Sequence, residues 1–565
     1  MQALTTYAAS HRRGCAGFEP WRTTPTSVAT SSFPPTDVSS WSTAANADPP
    51  VVSWVSRLSR RGALLGLLFA LVVAVALFTR FSIDDHLSRD EAIFMYGGQQ
   101  FVAGVPYYVS IFDAKTPLSP MIAGAGVEVS KVLGGSDVHA ARVVFFLFAC
   151  AAVMAVYLLA LWLWGSVLAG VVSAAAFVSY KGFAIDALGG PDAKTPGVAF
   201  AAASMVLLVR RRWLSAGVMS ALAFLCWQPL GIYMVVAVIA ALVSAGDRRR
   251  ACARALVGVA IPVAGMFGYY WIAGALSDFI DAAFRFPLEG VKRVHTTVGE
   301  RVSHIGTVVG DSYPALHGWL VWSGLVALIV LAALAIWQGR AAWRSVLSHP
   351  LISIVIASFV PLAAFTLSDV QNYPDLYPSL PYAALGLGGA AAVLVRCVRS
   401  RRAARAVATI GLTGAVVLCG FTWVAYSRAR PDGVGLMIQR ARADALTRIL
   451  GARGTLYAIG DPVPLVLTHR RNPSRYIYLR SGVLQWMLAH TPGRYAGWRA
   501  QLLARDPSVI VVHDFTWRGP HLLAFDRFLG SRYETRWLGA WQVLVKAPLL
   551  RRAEADGVVL NRVPG

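Results

Sequence analysis

Apolar runs about twenty residues long recur from residue 62 to residue 427, and nothing else in the sequence constrains the fold as much. A helix of about 20 apolar residues is what spans the ~30 Å hydrocarbon core of a bilayer. The first run is GALLGLLFALVVAVALFTRFSI (62–83). Others follow near 141–164, 166–185, 195–210, 213–227, 229–246, 254–275, 315–337, 350–368, 377–396 and 406–427. Eleven such runs predict a polytopic α-helical membrane protein. Composition agrees. The chain is 56% hydrophobic and 14% charged, with a mean hydropathy of +0.55, whereas a soluble domain carries about 25% charged residues.

The net charge of +23 would suggest nucleic acid in a soluble protein. Here the arginines sit between apolar runs, as in RRRW (210–213), DRRRAC (247–252) and RSRRAAR (399–405). That pattern encodes membrane orientation and favours anionic headgroups. No basic-aromatic module accompanies the charge, so nucleic acid is not read as a partner. The ambiguous stretch is PLSPMIAGAGVEVSKVL (117–133), apolar but carrying two prolines, Glu128 and Lys131. If it does not cross, Arg210–Arg212, Arg248–Arg250, Arg340, Arg344 and Arg396–Arg405 share a side with Arg57–Arg61. If it crosses, all the later clusters move to the other side. The positive-inside rule selects the first arrangement. Residues 84–140 then form one long outer loop with interfacial helices near 90–103 and 117–133, and 186–194, 276–314, 369–376 and everything after 428 are outside too.

Three domains are expected. Residues 1–55, rich in Ser, Thr, Pro and Ala, read as a disordered cytoplasmic tail. Residues 56–429 form the transmembrane domain. Residues 430–565 read as a small α/β extracytoplasmic domain, in which TLYAIGD (455–461) and PSVIVVHD (507–514) are strands ending in Asp and RYAGWRAQLLARD (494–506) is an amphipathic helix. Its tryptophans, Trp486, Trp498, Trp517, Trp537 and Trp541, suit a core better than a sugar platform. Six cysteines without C-x-x-C spacing give neither a disulfide frame nor a metal site. Likewise His295, His304 and His317 lack metal-ligand spacing.

The chemistry-bearing residues gather on the outer side. The first loop carries Asp84, Asp85, Asp90, Glu91, Tyr107, Tyr108, Asp113 and Lys115. The second, DALGGPDAKTPG, carries Asp186, Asp192 and Lys194; the third, DVQNYPDLYPSLPY, carries Gln371, Asn372, Tyr373 and Asp375. Ionisable groups near a bilayer are costly and point to function. Asp90 and Glu91 are adjacent, so on a helix they diverge by about 100° and their roles should differ. A carboxylate at a helix start can cap it, or it can take a proton from an acceptor hydroxyl. Lys115, in a proline-stiffened segment, can meet a phosphate or snorkel to a headgroup. The carboxylates could take a divalent metal, though no ligand cluster demands one.

RDEAIFMYGGQQFVAGVPYYVSIFDAKTPLSP (89–120) resembles the first outer loop of GT-C superfold, polyprenyl-phosphate-sugar-dependent glycosyltransferases. The types it resembles are the dolichyl-phosphate-mannose mannosyltransferases (glycosyltransferase family 39) and the aminoarabinose transferases. The matching features are Asp90-Glu91, Tyr96-Gly97, Gly104-Val105-Pro106-Tyr107, Phe112-Asp113 and Lys115-Thr116-Pro117. AARVVFFLFA (140–149) and QNYPDLYPSLPYAALGLGG (371–389) add to the likeness. PDAKTPGVAF (191–200) falls where such enzymes have a second outer acidic residue, but Lys194 and Pro191 depart from their pattern. Residues 430–565 resemble the outer domain of some prokaryotic members.

The resemblance implies a polyprenyl-phosphate sugar donor, with mannose favoured, and a protein, lipid or glycan acceptor at the outer face of the cell membrane. Asp90 or Glu91 would be the catalytic base. Lys115, helped by Arg293 or Arg301, would hold the leaving phosphate. Tyr107, Asp113, Asp192, Gln371 and Tyr373 would line the substrate pocket. No P-loop is present, and a lipid donor needs no nucleotide energy source. Two other readings stand beside this one. One is a transporter or flippase of lipid-linked sugar, which would place charges near midplane. The other is a non-catalytic envelope assembly protein, in which Asp90-Glu91 would only cap a helix.

Overall fold

The computed structural model describes residues 60–289, 297–313, 316–337, 349–429 and 435–563. The expected tail (1–55), Arg57, Arg293, His295, Arg340 and Arg344 lie outside them.

Seven helices are long and apolar enough to cross a membrane: Arg60–Phe78, Asp137–Trp164, Arg248–Ile272, Leu316–Ala335, Pro350–Ser368, Tyr373–Cys397 and Arg401–Arg428. Val167–Val178 and Lys181–Gly189 form an eighth, bent by 71° at the break between them. Three shorter apolar helices, Lys194–Val209, Trp213–Cys226 and Gln228–Ser244, complete the eleven expected segments. The starts are capped where the sequence supplies a short oxygen-bearing side chain. Ser136 Oγ accepts from the His139 amide, and Asp247 does the same for Arg250. The arginine clusters gather at one end of the bundle, where Arg210 lies over the Trp162 ring and Arg396 donates to the Trp164 carbonyl.

PLSPMIAGAGVEVSKVL forms the helix Leu118–Leu133. It packs against the helix Arg89–Val102, at the end of the bundle opposite the arginines. The Tyr96-Gly97-Gly98 run explains how these elements come so close. A Cβ at Gly98 would lie 2.6 Å from the Gly124 amide nitrogen, and one at Gly97 would lie 2.2 Å from the Tyr107 ring. Only glycine permits either approach. The Tyr96 hydroxyl accepts from the Asn472 amide at 2.9 Å.

The C-terminal region forms a four-stranded sheet. Its strands are β1 (Leu456–Ile459), β2 (Val509–Val512), β3 (Glu534–Leu538) and β4 (Trp541–Val545), in the order β1-β2-β4-β3. β1 and β2 are parallel, and β4 is antiparallel to both β2 and β3. β1 and β2 are buried throughout, as their unbroken apolar sequences require. Trp486, Trp498 and Trp541 are buried in the core. That core is continuous with the first loop: Tyr96, Tyr107, Tyr108 and Phe112 belong to the same buried cluster as Ile459, Trp486 and Val511.

Candidate active site

A cavity of about 510 Å³ opens where the first loop, the residues around 185–194, the residues around 372–374 and the small domain converge. Asp90, Glu91, Lys115, Asp186, Asp192, Lys194 and Tyr373 line it, together with Asp461, His513 and Asp514.

The adjacent acidic pair divides as its helical geometry requires. Ser88 is the N-cap of Arg89–Val102. Its hydroxyl accepts from the Glu91 amide at 3.3 Å, and Glu91 Oε2 accepts from the Ser88 amide at 3.1 Å. Glu91 is therefore the reciprocal member of a capping box. Its Oε2 also lies 3.3 Å from the guanidinium of Arg142, which is fully buried. Arg142 donates in addition to the carbonyls of Ile83, Asp85 and His86, so it ties the entry to the first loop onto the helix Asp137–Trp164. Burial pushes the Glu91 carboxyl up, against the pull of Arg142.

Asp90 has neither tie. Its side chain is 63% exposed and it pairs only with Arg89, at 3.1 Å. Partial burial would raise its pKa; the Lys115 and Arg89 charges outweigh that and hold the carboxyl below the usual carboxylate range. An ionised carboxylate open to a cavity can accept a proton.

Lys115 lies 4.9 Å above the Phe94 ring, and among the described residues no carboxylate comes within ion-pair distance of its ammonium. Burial alone would lower its pKa, but Asp113, Asp90, Asp375 and Asp192 raise it above the ordinary lysine value. The ammonium is thus charged, held in the field of those four carboxylates without a direct ion pair among the described residues. Its backbone is pinned on three sides. The Tyr108 hydroxyl donates to the Lys115 carbonyl at 2.6 Å, Gln228 donates to Ala114 at 2.6 Å, and Thr116 donates to Phe224 at 2.9 Å.

The expected substrate-binding residues take several positions. Tyr107 donates to Asp113 at 2.9 Å, and both are buried behind the cavity instead of lining it. They buttress the segment that carries Lys115. Asp192 Oδ1 accepts from the amides of Lys194 and Thr195, at 2.6 and 2.8 Å. It thereby satisfies the first two amides of the helix Lys194–Val209, while its buried Oδ2 has no hydrogen-bond partner among the described residues. Burial raises its pKa against those bonds. Tyr373 donates to Asp186 at 3.0 Å, and Tyr377 donates to the other oxygen of Asp186 at 2.6 Å. Gln371 is exposed and does not line the cavity. Arg301 does not line it either. Lys194, the departure from the family pattern, forms an ion pair with Asp375 and lies 5.1 Å above the Trp227 ring. Asp375 in turn accepts from the amides of Gln371 and Asn372. A residue out of pattern in one loop thus ties it to the next.

Sequence reasoning missed Arg142 and the contribution of the small domain. AARVV (140–144) placed an arginine in the first turns of an apolar helix, which was a signal. Strands ending in Asp were also visible, but nothing local says that those ends turn toward the first loop. Among the described residues no three His, Cys, Asp or Glu side chains form a metal-holding group.

Apolar helices long enough to cross a membrane, two helices in the first long loop and a small α/β unit over a polar cavity make up a polytopic membrane fold, and the chain shares it with solved structures. One of them is ArnT from Cupriavidus metallidurans. Bound to undecaprenyl phosphate, that structure matches with a TM-score of 0.57 at 14% identity, over 86% of this chain and 98% of that one. The apo state matches with a TM-score of 0.56 at 13% identity, over 85% and 97%. No family model matches the chain, and no curated protein does.

Proposed function

We propose that the chain is a membrane glycosyltransferase that moves a sugar from a polyprenyl-phosphate donor to an acceptor hydroxyl, with inversion, on the extracytoplasmic face of the cell membrane. The observation that carries this reading is one ionised carboxylate, Asp90, and one ammonium, Lys115, that forms no direct ion pair among the described residues, both lining the same cavity. Asp90 accepts the proton of the acceptor hydroxyl. The acceptor oxygen bonds to the anomeric carbon as the bond from that carbon to the phosphate oxygen breaks. Lys115 stabilises the charge that collects on the departing lipid phosphate, as a preorganised cation does best in a site shielded from water. The GT-C fold, and the undecaprenyl phosphate bound to the similar ArnT, support a lipid-linked donor. Mannose is the sugar favoured by the first-loop resemblance. The N-terminus would be cytoplasmic, since the arginine-bearing end of the bundle would face inward.

The test is transfer of label from radiolabelled polyprenyl-phosphate mannose to a membrane extract by the purified protein. Wild type should transfer, and Asp90→Asn should not. Equal transfer by wild type and Asp90→Asn would move the chemistry to another residue.

A further inference from the structure

The cavity has a second wall, built by the small domain, that the proposed chemistry leaves unused. At the carboxyl ends of the parallel pair β1 and β2 stand Asp461, His513 and Asp514, all lining the cavity. Ligands of open α/β sheets bind at that edge.

The arrangement is specified at every atom. Asp461 is 2% exposed; its Oδ1 accepts from the Val463 amide at 2.8 Å, and its Oδ2 lies 2.6 Å from His513 Nδ1. In the neutral imidazole a buried carboxylate at Nδ1 makes that nitrogen the donor and leaves Nε2 as an acceptor. The imidazole is 29% exposed. The His513 amide donates to the Ile459 carbonyl at 3.1 Å. Gly460, at φ +95, passes so close that a Cβ there would lie 2.1 Å from the His513 carbonyl oxygen. Asp514 sits at φ +50, a conformation L-residues rarely adopt. Two ion pairs hold it there, one to Arg480 at 2.6 Å and one to Arg89, the same guanidinium that contacts Asp90. Backbone held away from its preferred regions by surrounding contacts is characteristic of sites.

We infer that His513 binds the acceptor, with Asp461 as its positioning residue, and that the acceptor is a polyol, a glycan hydroxyl flanked by others. This rests on the glycosyl-transfer reading above. One hydroxyl of the acceptor meets Asp90 while a neighbouring hydroxyl donates to His513 Nε2. A serine or threonine side chain carries a single hydroxyl and cannot meet both walls.

The experiment uses the full-length protein in detergent with radiolabelled polyprenyl-phosphate mannose and three competing acceptors: water, octyl mannoside, and a peptide rich in Ser and Thr. Free mannose reports the water channel, which needs Asp90 and Lys115 alone. Wild type is expected to label octyl mannoside. His513→Ala should lower that transfer at least tenfold more than it lowers hydrolysis, and His513→Gln, which retains an acceptor atom, should recover part of the transfer. Asp461→Asn should raise the KM for octyl mannoside more than it lowers kcat. These conservative variants keep the test open should His513→Ala not fold. Labelling of the peptide in preference to the glycoside, hydrolysis with no label on either organic acceptor, or equal changes in both channels on substituting His513 would overturn the inference. Absence of both hydrolysis and transfer in wild type would instead overturn the glycosyl-transfer reading, and this inference with it.

Discussion

The two neighbouring carboxylates of the first loop should fail in different ways. Asp90→Asn leaves the capping box and Arg142 untouched. It should keep the wild-type unfolding temperature and lower kcat by about 10² to 10⁴, the range for loss of a general base. Glu91→Gln keeps the shape but removes the charge beside a fully buried guanidinium. Breaking a buried pair costs on the order of 3 kcal/mol, so thermal unfolding should shift downward while the protein that remains folded stays active. Lys115→Met should weaken binding of undecaprenyl phosphate by about 10- to 100-fold, the worth of one charge-assisted hydrogen bond, in a lipid-binding titration. It should also change the pH profile. Asp90 is held below the usual carboxylate range partly by Lys115, so wild-type kcat/KM keeps its base ionised as pH falls through that range. Removing the ammonium raises the Asp90 pKa, and the acid limb of the profile moves to higher pH. At this scale the sequence exposed the pair and the lysine but not their division of labour. An acidic doublet at a helix start is compatible with either member capping; the Ser88–Glu91 capping box and Arg142, 51 residues on from Glu91, decide it.

Among the elements, the ion pair between Lys194 and Asp375 joins the second and third loops, with both side chains about seven-eighths buried. Lys194→Ala would leave Asp375 holding only the Gln371 and Asn372 amides. A double-mutant cycle on thermal stability with Asp375→Asn should return a coupling of about 1–3 kcal/mol; additivity would mean the loops are held by other contacts. Helix positions were legible because apolar periodicity is local, and the arginine clusters together with the prolines, Glu128 and Lys131 of 117–133 were enough to keep that segment out of the crossing count. Loop geometry was not. Tyr107, Asp113 and Gln371 carry the right chemistry in the right loops, yet Tyr107 and Asp113 face inward as a buttress and Gln371 faces away, because the direction of a loop side chain is set by packing partners distant in sequence. The two glycines after Tyr96 are a local signal that went unread: glycine inside a helix marks a close approach, and each one has it.

For the whole molecule, the small domain is not an appendage. Its buried cluster runs without interruption into the first loop. Gln439 exchanges two hydrogen bonds with the backbone of Leu87, and the Phe112 amide donates to Arg475. Ending the chain before residue 430 would bare Tyr96 and Phe112 and orphan those backbone groups, so the truncated protein should aggregate on size-exclusion chromatography in detergent instead of eluting as one peak. Composition and strand patterning pointed to a C-terminal α/β region, and a four-stranded sheet is there; its joining to the loop lay in long-range contacts that no window of sequence contains. One further consequence follows from the cavity wall. Although the chain as a whole is strongly basic, seven acidic side chains line the cavity (Asp85, Asp90, Glu91, Asp186, Asp192, Asp461 and Asp514) against the three lining cations Arg89, Lys115 and Lys194, with Arg142 and Arg480 behind them paired to Glu91 and Asp514. A soluble nucleotide sugar arriving through the aqueous mouth would meet a repulsive field before it reached Lys115, whereas a phosphate tethered to a lipid could slide in at bilayer level. The vestibule would thus act as an electrostatic customs post, and millimolar GDP-mannose should neither serve as donor nor compete with the lipid-linked one.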